Sequence, residues 1–176
     1  MTQKTLYLIR AAFSLVWVAL ISVTSNSLVA TDNLTVIAAV LLVIYPLWDV
    51  AATLLERRQD STGTINVALG IVATVGMLAA AFSTVGKALL VFGVWASLSG
   101  AIQLVVAIRR RRTVGAQWPM IISGGLSVLA GGTFVSMSSS ATAGLSTLAG
   151  YSAFGAFWFL VAAVALTLRG RRVTVS

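Results

Sequence analysis

The sequence lacks cysteine and histidine altogether, and only 4 of its 176 residues are acidic. These absences remove disulfides, thiolate nucleophiles, imidazole bases and the usual zinc or haem ligands. Three of the four acids, Asp32, Glu56 and Asp60, belong to loops or to the ends of apolar runs, so no catalytic carboxylate pair is present. No serine has a histidine to activate it. No glycine-rich phosphate loop lies between a strand and a helix. We therefore expect no catalytic residue, no cofactor and no metal, and hence a protein that is not an enzyme.

Apolar residues are abundant instead: 59% of the chain is hydrophobic and 9% is charged, with a mean hydropathy of +0.99. A bilayer core about 30 Å thick requires roughly 20 apolar residues per helix. Six runs meet this length, at about 7–27, 34–55, 65–83, 87–108, 118–137 and 143–168. The sequence predicts an all-α integral membrane protein, with residues 1–176 as one transmembrane domain of six helices. The first run is longer than the core of a signal peptide, so we expect a retained helix.

The net charge of +8 is unevenly distributed along the chain. In a soluble protein such an excess would suggest a nucleic-acid partner. Here eleven of the twelve basic residues are predicted to lie on one side, and only Lys87 on the other. Because cytoplasmic loops carry the basic excess, we expect both termini in the cytoplasm, a short cytoplasmic tail at 169–176 and no nucleic acid. The eleven are Lys4, Arg10, Arg57, Arg58, Arg109, Arg110, Arg111, Arg112, Arg169, Arg171 and Arg172.

A weak internal repeat links the six runs. In the even-numbered runs an aromatic residue precedes a polar or small residue by four positions; in the odd-numbered runs a small residue opens a similar stretch. Equivalent positions recur every 50 to 56 residues. The unit is a two-helix hairpin, predicted at about 7–55, 65–108 and 118–168, and the three copies are parallel because each crosses twice. The anchors are Tyr45, Trp95 and Tyr151 in the even runs, and Ser14, Gly70 and Gly125 in the odd runs.

Small residues at four-residue spacing predict close helix contacts, since helices in lipid associate through tight packing more than through hydrophobic free energy. The alternative interpretation is that these ridges line a pore whose wall consists of serine and threonine. The ridges comprise Gly93, Ser97 and Ala101 in the fourth run, Ser123, Ser127 and Gly131 in the fifth, and Ala149 and Ala153 in the sixth.

The stretch 93–100, followed by Arg109, Trp118, the glycine-rich stretch 123–132 and Tyr151, resembles the HdeD-like acid-resistance membrane proteins. These are small bacterial six-span proteins that contain a domain of unknown function. The resemblance covers nearly the whole chain and is best from about 64 to 169. It implies a place in the bacterial plasma (inner) membrane and an association with acid or envelope stress, but no reaction. Family members often carry an aromatic residue, three residues and then Asp-Gly; Tyr45 and Asp49 match, whereas Val50 replaces the glycine.

Asp49 is the one acid well inside a predicted span, where a charge costs about 2.5–3.5 kcal/mol on insertion scales. Arg10, a few residues into the first run, can extend its side chain toward Asp49. Gln103 lies at a comparable depth in the fourth run and Asn66 nearer the start of the third, so we expect the four residues to form one intramembrane polar cluster. Pro46, three residues earlier, is expected to free the Leu42 carbonyl. One interpretation makes Asp49 a proton-sensing or proton-relaying group. The other makes it a structural partner of Arg10 or Gln103.

Two functional classes remain open. The first is a non-enzymatic stress protein of the HdeD-like class that acts through lipid or through other membrane proteins. The second is a small channel or transporter for protons or a small solute, using Asp49. The lipid bilayer is an expected partner in both, and a homo-oligomer is a further candidate for so small a membrane protein.

Overall fold

The computed structural model describes residues 2–25, 27–56, 61–112 and 117–173, which form six α-helices. All six are long and apolar enough to cross a membrane, in agreement with the six predicted runs. Arg57 and Arg58, together with the side chains of Arg169, Arg171 and Arg172, lie outside the described part of the chain. The helices are α1 Gln3–Ser25, α2 Val36–Leu55, α3 Ser61–Ala80, α4 Val85–Arg110, α5 Trp118–Met137 and α6 Ser146–Val173.

Local chemistry explains several helix ends. Thr35 precedes α2 in an extended conformation, and its hydroxyl accepts a hydrogen bond from the Ala38 amide at 3.2 Å. Pro119 lies in the first turn of α5, where no intrahelical partner is needed for its missing N–H. Arg109 and Arg110 occupy the last turn of α4, where positive charge complements the helix dipole.

Threonine hydroxyls inside the helices are satisfied by their own helix. Each donates to the carbonyl four residues earlier, at 2.7–3.0 Å. This arrangement removes the cost of an unpaired hydroxyl in apolar surroundings. The donors are Thr24, Thr53, Thr74, Thr133 and Thr167.

The helices contact one another in chain order, and α6 returns to pack against α1. The most extensive contacts are α4 with α5, α1 with α6 and α2 with α3. Each of these pairs joins two different predicted hairpins, whereas the two helices within each predicted hairpin make fewer contacts. The most extensive packing is therefore between helices of different predicted hairpins and not between the two helices of one hairpin.

Helices α4 and α5 approach each other at backbone distance. A Cβ atom added to Gly93 would lie 2.7 Å from the Gly131 carbonyl oxygen, and one added to Gly124 would lie 2.8 Å from the Leu104 nitrogen. The predicted ridge on α4 needs one correction: Ala101 is exposed, and Gly100 meets α5 in its place. The rotation of α4 about its axis decides this difference, because consecutive residues point about 100° apart.

An aromatic cluster fills the centre of the bundle. Phe92 is fully buried, and its ring centroid lies 5.6 Å from Tyr45, 5.2 Å from Trp95 and 5.9 Å from Tyr151. The three aromatic anchors of the predicted repeat thus meet around one phenylalanine. Phe92 meets Trp95 and Tyr151 edge to face, and such pairs stabilise a core beyond the effect of burial alone.

The outer surface of the bundle is apolar, unlike that of a soluble protein, and some polar side chains lie inside. Large apolar side chains such as Val23, Val72 and Leu129 are mostly exposed on the outer surface, while Ser14 and Ser152 are buried inside. An outer surface of this composition suits lipid and not water.

The loops between α1 and α2, α3 and α4, and α5 and α6 meet at one end of the bundle, which we call the capped end. The α1–α2 loop forms isolated antiparallel bridges with both neighbours, through Val29 with Gly144 and through Asn33 with Thr84. Its Asp32 carboxylate accepts from the Val29 amide at 2.9 Å. The opposite end carries Lys4 and the arginines that end α4, and we call it the basic end.

Candidate functional site

An ion pair between α1 and α2 is the centre of the candidate site. Arg10 Nη1 donates to Asp49 Oδ1 at 2.8 Å, with the two side chains 15% and 18% exposed. Asp49 lies seven residues before Glu56, about 10 Å along the helix from the basic end. The pair neutralises two charges at a depth where neither would be stable alone.

Thr53 and Asn66 complete the hydrogen bonding of this pair. Asn66 Nδ2, on α3, donates to Asp49 Oδ2 at 3.2 Å and to Thr53 Oγ1 at 3.1 Å. Arg10 Nη2 also donates to Thr53 Oγ1 at 3.3 Å. Three helices are therefore joined through one carboxylate and one hydroxyl, and we call Arg10, Asp49, Thr53 and Asn66 the ion-pair cluster.

Gln103 stands apart from the ion-pair cluster, although it was expected to belong to it. Its Nε2 atom donates to the Met120 carbonyl on α5 at 3.1 Å. Gln103 nevertheless lines the same cavity as Arg10 and Asp49. Its hydrogen-bond partner depends on how closely α4 packs against α5.

A cavity of about 140 Å³, the vestibule, extends from the basic end to the ion-pair cluster. Its wall is polar for a helical bundle, with Gln103 on α4 and Gln117 before α5 in addition to the cluster. Among the described residues, two positive and two negative side chains line it, and their formal charges cancel. These four are Arg10, Arg110, Asp49 and Glu56.

The mouth of the vestibule carries a second ion pair. Arg110 Nη1 lies 3.4 Å from Glu56 Oε1, with side chains 19% and 31% exposed. This pair links the last turn of α4 to the residue that ends α2. It is longer and more exposed than the Arg10–Asp49 pair, so we expect it to contribute less to stability.

The Arg10 guanidinium has a further contact on its other side. Its central carbon lies 5.6 Å from the centre of the Phe159 ring on α6, within the range of a cation–π interaction. Arg10 is thus held by an acid on α2 and an aromatic ring on α6. Residues on α2 and α6 therefore fix the position of this α1 side chain.

The chemical groups at this site are few. The described residues contain no group of three or more acidic, histidine or cysteine residues that could hold a metal ion. The cluster supplies one carboxylate, one guanidinium, one amide and one hydroxyl. Such a set can bind a polar molecule or exchange a proton.

Thr53 and the Glu56–Arg110 pair were missed in the sequence analysis. Thr53 had a usable signal, because it lies four residues after Asp49 and therefore on the same face of α2. The sequence contains no comparable signal for the second ion pair. Its partners are 54 residues apart, and their meeting depends on the packing of α2 against α4.

Comparison with known proteins gives one match. A family described as a short repeat of unknown function (DUF308) matches residues 61–136, which include α3, α4 and all but the last residue of α5. No curated protein and no solved structure matches the chain. The matched part contains the close α4–α5 contact and Asn66, whereas Arg10 and Asp49 precede it. The sequence match and the six apolar helices together suggest a multi-pass membrane protein of unknown function.

Proposed function

We propose that this chain is a multi-pass plasma-membrane protein that acts as a small channel or transporter for protons or a small polar solute, with Asp49 as its site. One observation carries the proposal: the vestibule leads from the basic end to an ion pair deep between apolar helices. Ionisable residues at such depth usually mark a solute or proton pathway. The protein is non-enzymatic in this proposal.

The vestibule restricts the size and charge of the solute. Its volume of about 140 Å³ is well below the range of about 300–1,000 Å³ for pockets that hold drug-sized ligands. Its two cations and two anions favour a neutral or zwitterionic molecule, because an ion of either sign meets a like charge on the wall. Water that fills the same space could carry a proton to Asp49.

Orientation and repeat arrangement form part of the proposal. We place the basic end and both termini in the cytoplasm, since basic residues are concentrated there. We also propose three parallel hairpin repeats, supported by the match to a family of short repeats and by the meeting of Tyr45, Trp95 and Tyr151 around Phe92. A reporter active only in the cytoplasm should give signal after Ser176 and none within 138–140; signal in that loop would reverse the orientation.

Flux measurements test the function directly. Purified protein in liposomes under an imposed pH gradient, with a trapped pH-sensitive dye, should show a proton flux that Asp49→Asn abolishes. If solute moves with the proton, the same assay with an added solute panel detects it. Asp32→Asn is the matched control, because it neutralises an acid at the capped end and keeps an acceptor oxygen for the Val29 amide. Equal flux in both variants, or none in the wild type with any solute, would overturn the proposal.

Access to the vestibule can be tested separately, because the chain has no native cysteine. A membrane-impermeant thiol reagent should label Gln103→Cys from the cytoplasmic side. It should not label Val105→Cys, which lies two residues away on the apolar outer surface. Equal labelling of the two positions would contradict a vestibule that water fills.

A second candidate function is a stress protein of the HdeD-like class that acts through lipid or other membrane proteins. The resemblance to that class and the short-repeat match favour it. In this case acid survival of cells would depend on the protein while Asp49→Asn leaves survival unchanged. Crosslinking in membranes would then show whether its partner is a second copy of the chain or another membrane protein.

A further inference from the structure

A second space adjoins the vestibule near the centre of the bundle. This inner chamber, of about 80 Å³, extends beyond the residues that it shares with the vestibule, which are Arg10, Asp49, Ser99, Gln103 and Phe159. Its remaining wall consists mainly of aromatic rings and hydroxyl groups. The residues that characterise this wall are Ser14, Tyr45, Trp95, Ser127 and Tyr151.

Two buried donors in the inner chamber have no hydrogen-bond partner among the described residues. They are Trp95 Nε1 and Ser99 Oγ, and Trp95 is only 5% exposed. An unpaired buried polar group costs about 1–3 kcal/mol, so an occupant that accepts hydrogen bonds would relieve this cost. Because an indole N–H can only donate, the missing partner must offer an acceptor atom.

A groove between α5 and α6 borders the inner chamber. The groove has a volume of about 390 Å³ and shares Ser123, Ser127, Tyr151 and Gly155 with the chamber. Away from this junction its wall is mainly apolar, and some of it belongs to the exposed outer surface. That part includes Leu126, Leu129 and Phe154.

Gly155 marks the junction and leaves space there. Unlike the glycines between α4 and α5, it has no atom within 4 Å of an added Cβ. A glycine inside a helix is less favourable than alanine, and at Gly155 close helix packing does not explain it. Gly155 leaves the boundary between chamber and groove without a side chain, next to the hydrogen bond that Tyr151 donates to Ser127.

The position of the chamber limits what could occupy it. Trp95 is ten residues from the start of α4 and Ser127 nine from the start of α5, which places them about 15 Å along their helices. This is about half the thickness of a bilayer core. A phospholipid keeps its charged headgroup at the interface, whereas a small uncharged head can enter at this depth.

We propose that the chamber and groove together bind a single-chain amphiphile with a small uncharged head that accepts hydrogen bonds. Its head accepts from Trp95 and Ser99 in the chamber, and its chain lies in the groove between α5 and α6. An uncharged head fits because Asp49 already neutralises Arg10. The ligand enters from the lipid and not through the vestibule.

Photolabelling with a monoacylglycerol that carries a diazirine on its acyl chain tests this site. In phosphatidylcholine vesicles the probe should label segments of α5 and α6 beside the groove, and an excess of monooleoylglycerol should compete. Gly155→Leu should lower labelling to the level left by the competitor. Gly150→Leu is the matched control, since it adds the same side chain to an exposed glycine on the same helix.

Trp95→Phe provides a variant that keeps an aromatic ring at this position and removes the indole donor. It should raise the concentration of monooleoylglycerol needed for half-competition about fivefold, the loss expected for one hydrogen bond of about 1 kcal/mol. Unchanged labelling in Gly155→Leu would overturn the proposal. So would competition by lysophosphatidylcholine as effective as that by monooleoylglycerol, since the site would then not select an uncharged head.

Discussion

Helices α4 and α5 meet through their backbones, whereas α1, α2 and α3 meet through charged and polar side chains. At the first contact, Gly100 and Gly124 bring the helices so close that an added methyl group would overlap main-chain atoms. At the second, Arg10, Asp49 and Asn66 reach across a gap that also contains the vestibule. Close packing excludes solvent, while side-chain bridges hold helices together and leave space between them. This difference explains why the vestibule lies beside the polar contact.

Gly124→Leu should have the largest effect on this comparison. Its side chain would collide with the backbone of α4 at Leu104 and Gly100, and we expect a loss of about 3 kcal/mol in the free energy of unfolding. Gly125→Leu, at a position with open space around its Cβ, should change it by less than about 0.5 kcal/mol. Denaturant titration in detergent measures both. If the two variants are equally stable, the backbone contact is wrongly assigned.

Asp49→Asn should have the next largest effect, because it leaves the Arg10 guanidinium without its carboxylate. We expect a loss of about 2 kcal/mol, the scale of a hydrogen bond to a charged group. Adding Arg10→Gln should restore part of this loss, with a coupling of about 0.5–3 kcal/mol. Strictly additive losses would show that the two residues stabilise the protein independently.

Ser127→Ala tests a polar contact between α5 and α6. The Tyr151 hydroxyl donates to Ser127 Oγ at 3.1 Å, and its removal should cost about 1 kcal/mol. Ser97→Ala should cost less, because the Ser97 hydroxyl makes only a 3.3 Å bond to the Val128 carbonyl. Thermal melting of both variants beside the wild type gives the order; the reverse order would contradict these hydrogen-bond assignments.

Glu56→Gln should have the smallest effect. The Glu56–Arg110 pair is partly exposed at the mouth of the vestibule, and such pairs contribute about 0.5 kcal/mol. The difference from the wild type should decrease at high salt, because solvent-exposed charges are screened. A loss as large as that of Asp49→Asn would place the main polar contact at the mouth instead of at the ion-pair cluster.

The candidate site shows how far sequence reasoning can reach. Arg10 and Asn66 were grouped with Asp49 as polar residues of neighbouring spans within reach of it, and the structure joins them by hydrogen bonds. Gln103 was placed at a depth comparable to that of Asp49 but bonds to Met120 on α5. Similar depth brings residues to one level of the bundle. It does not specify the direction in which each side chain points.

The Pro46 expectation shows the same limit within one helix. Pro46 lies inside a continuous α2, and a buried donor from another helix does bond to a carbonyl nearby. That donor is the Trp17 indole, which reaches Leu41 at 2.7 Å, one residue before the carbonyl expected to be free. The choice between neighbouring carbonyls depends on where α1 packs.

The sequence by itself determined the six helices and their apolar outer surface, because length, hydropathy and capping act within each segment. It also placed Asp49 and Arg10 at similar depth, since depth follows from residue count and helical rise. The tertiary structure alone decided that Gly100 and not Ala101 meets α5, that Glu56 pairs with Arg110, and that Trp95 borders a chamber without a partner. These features depend on the rotation and separation of whole helices. Rotation and separation are set by packing between segments far apart in the chain, which no local pattern encodes.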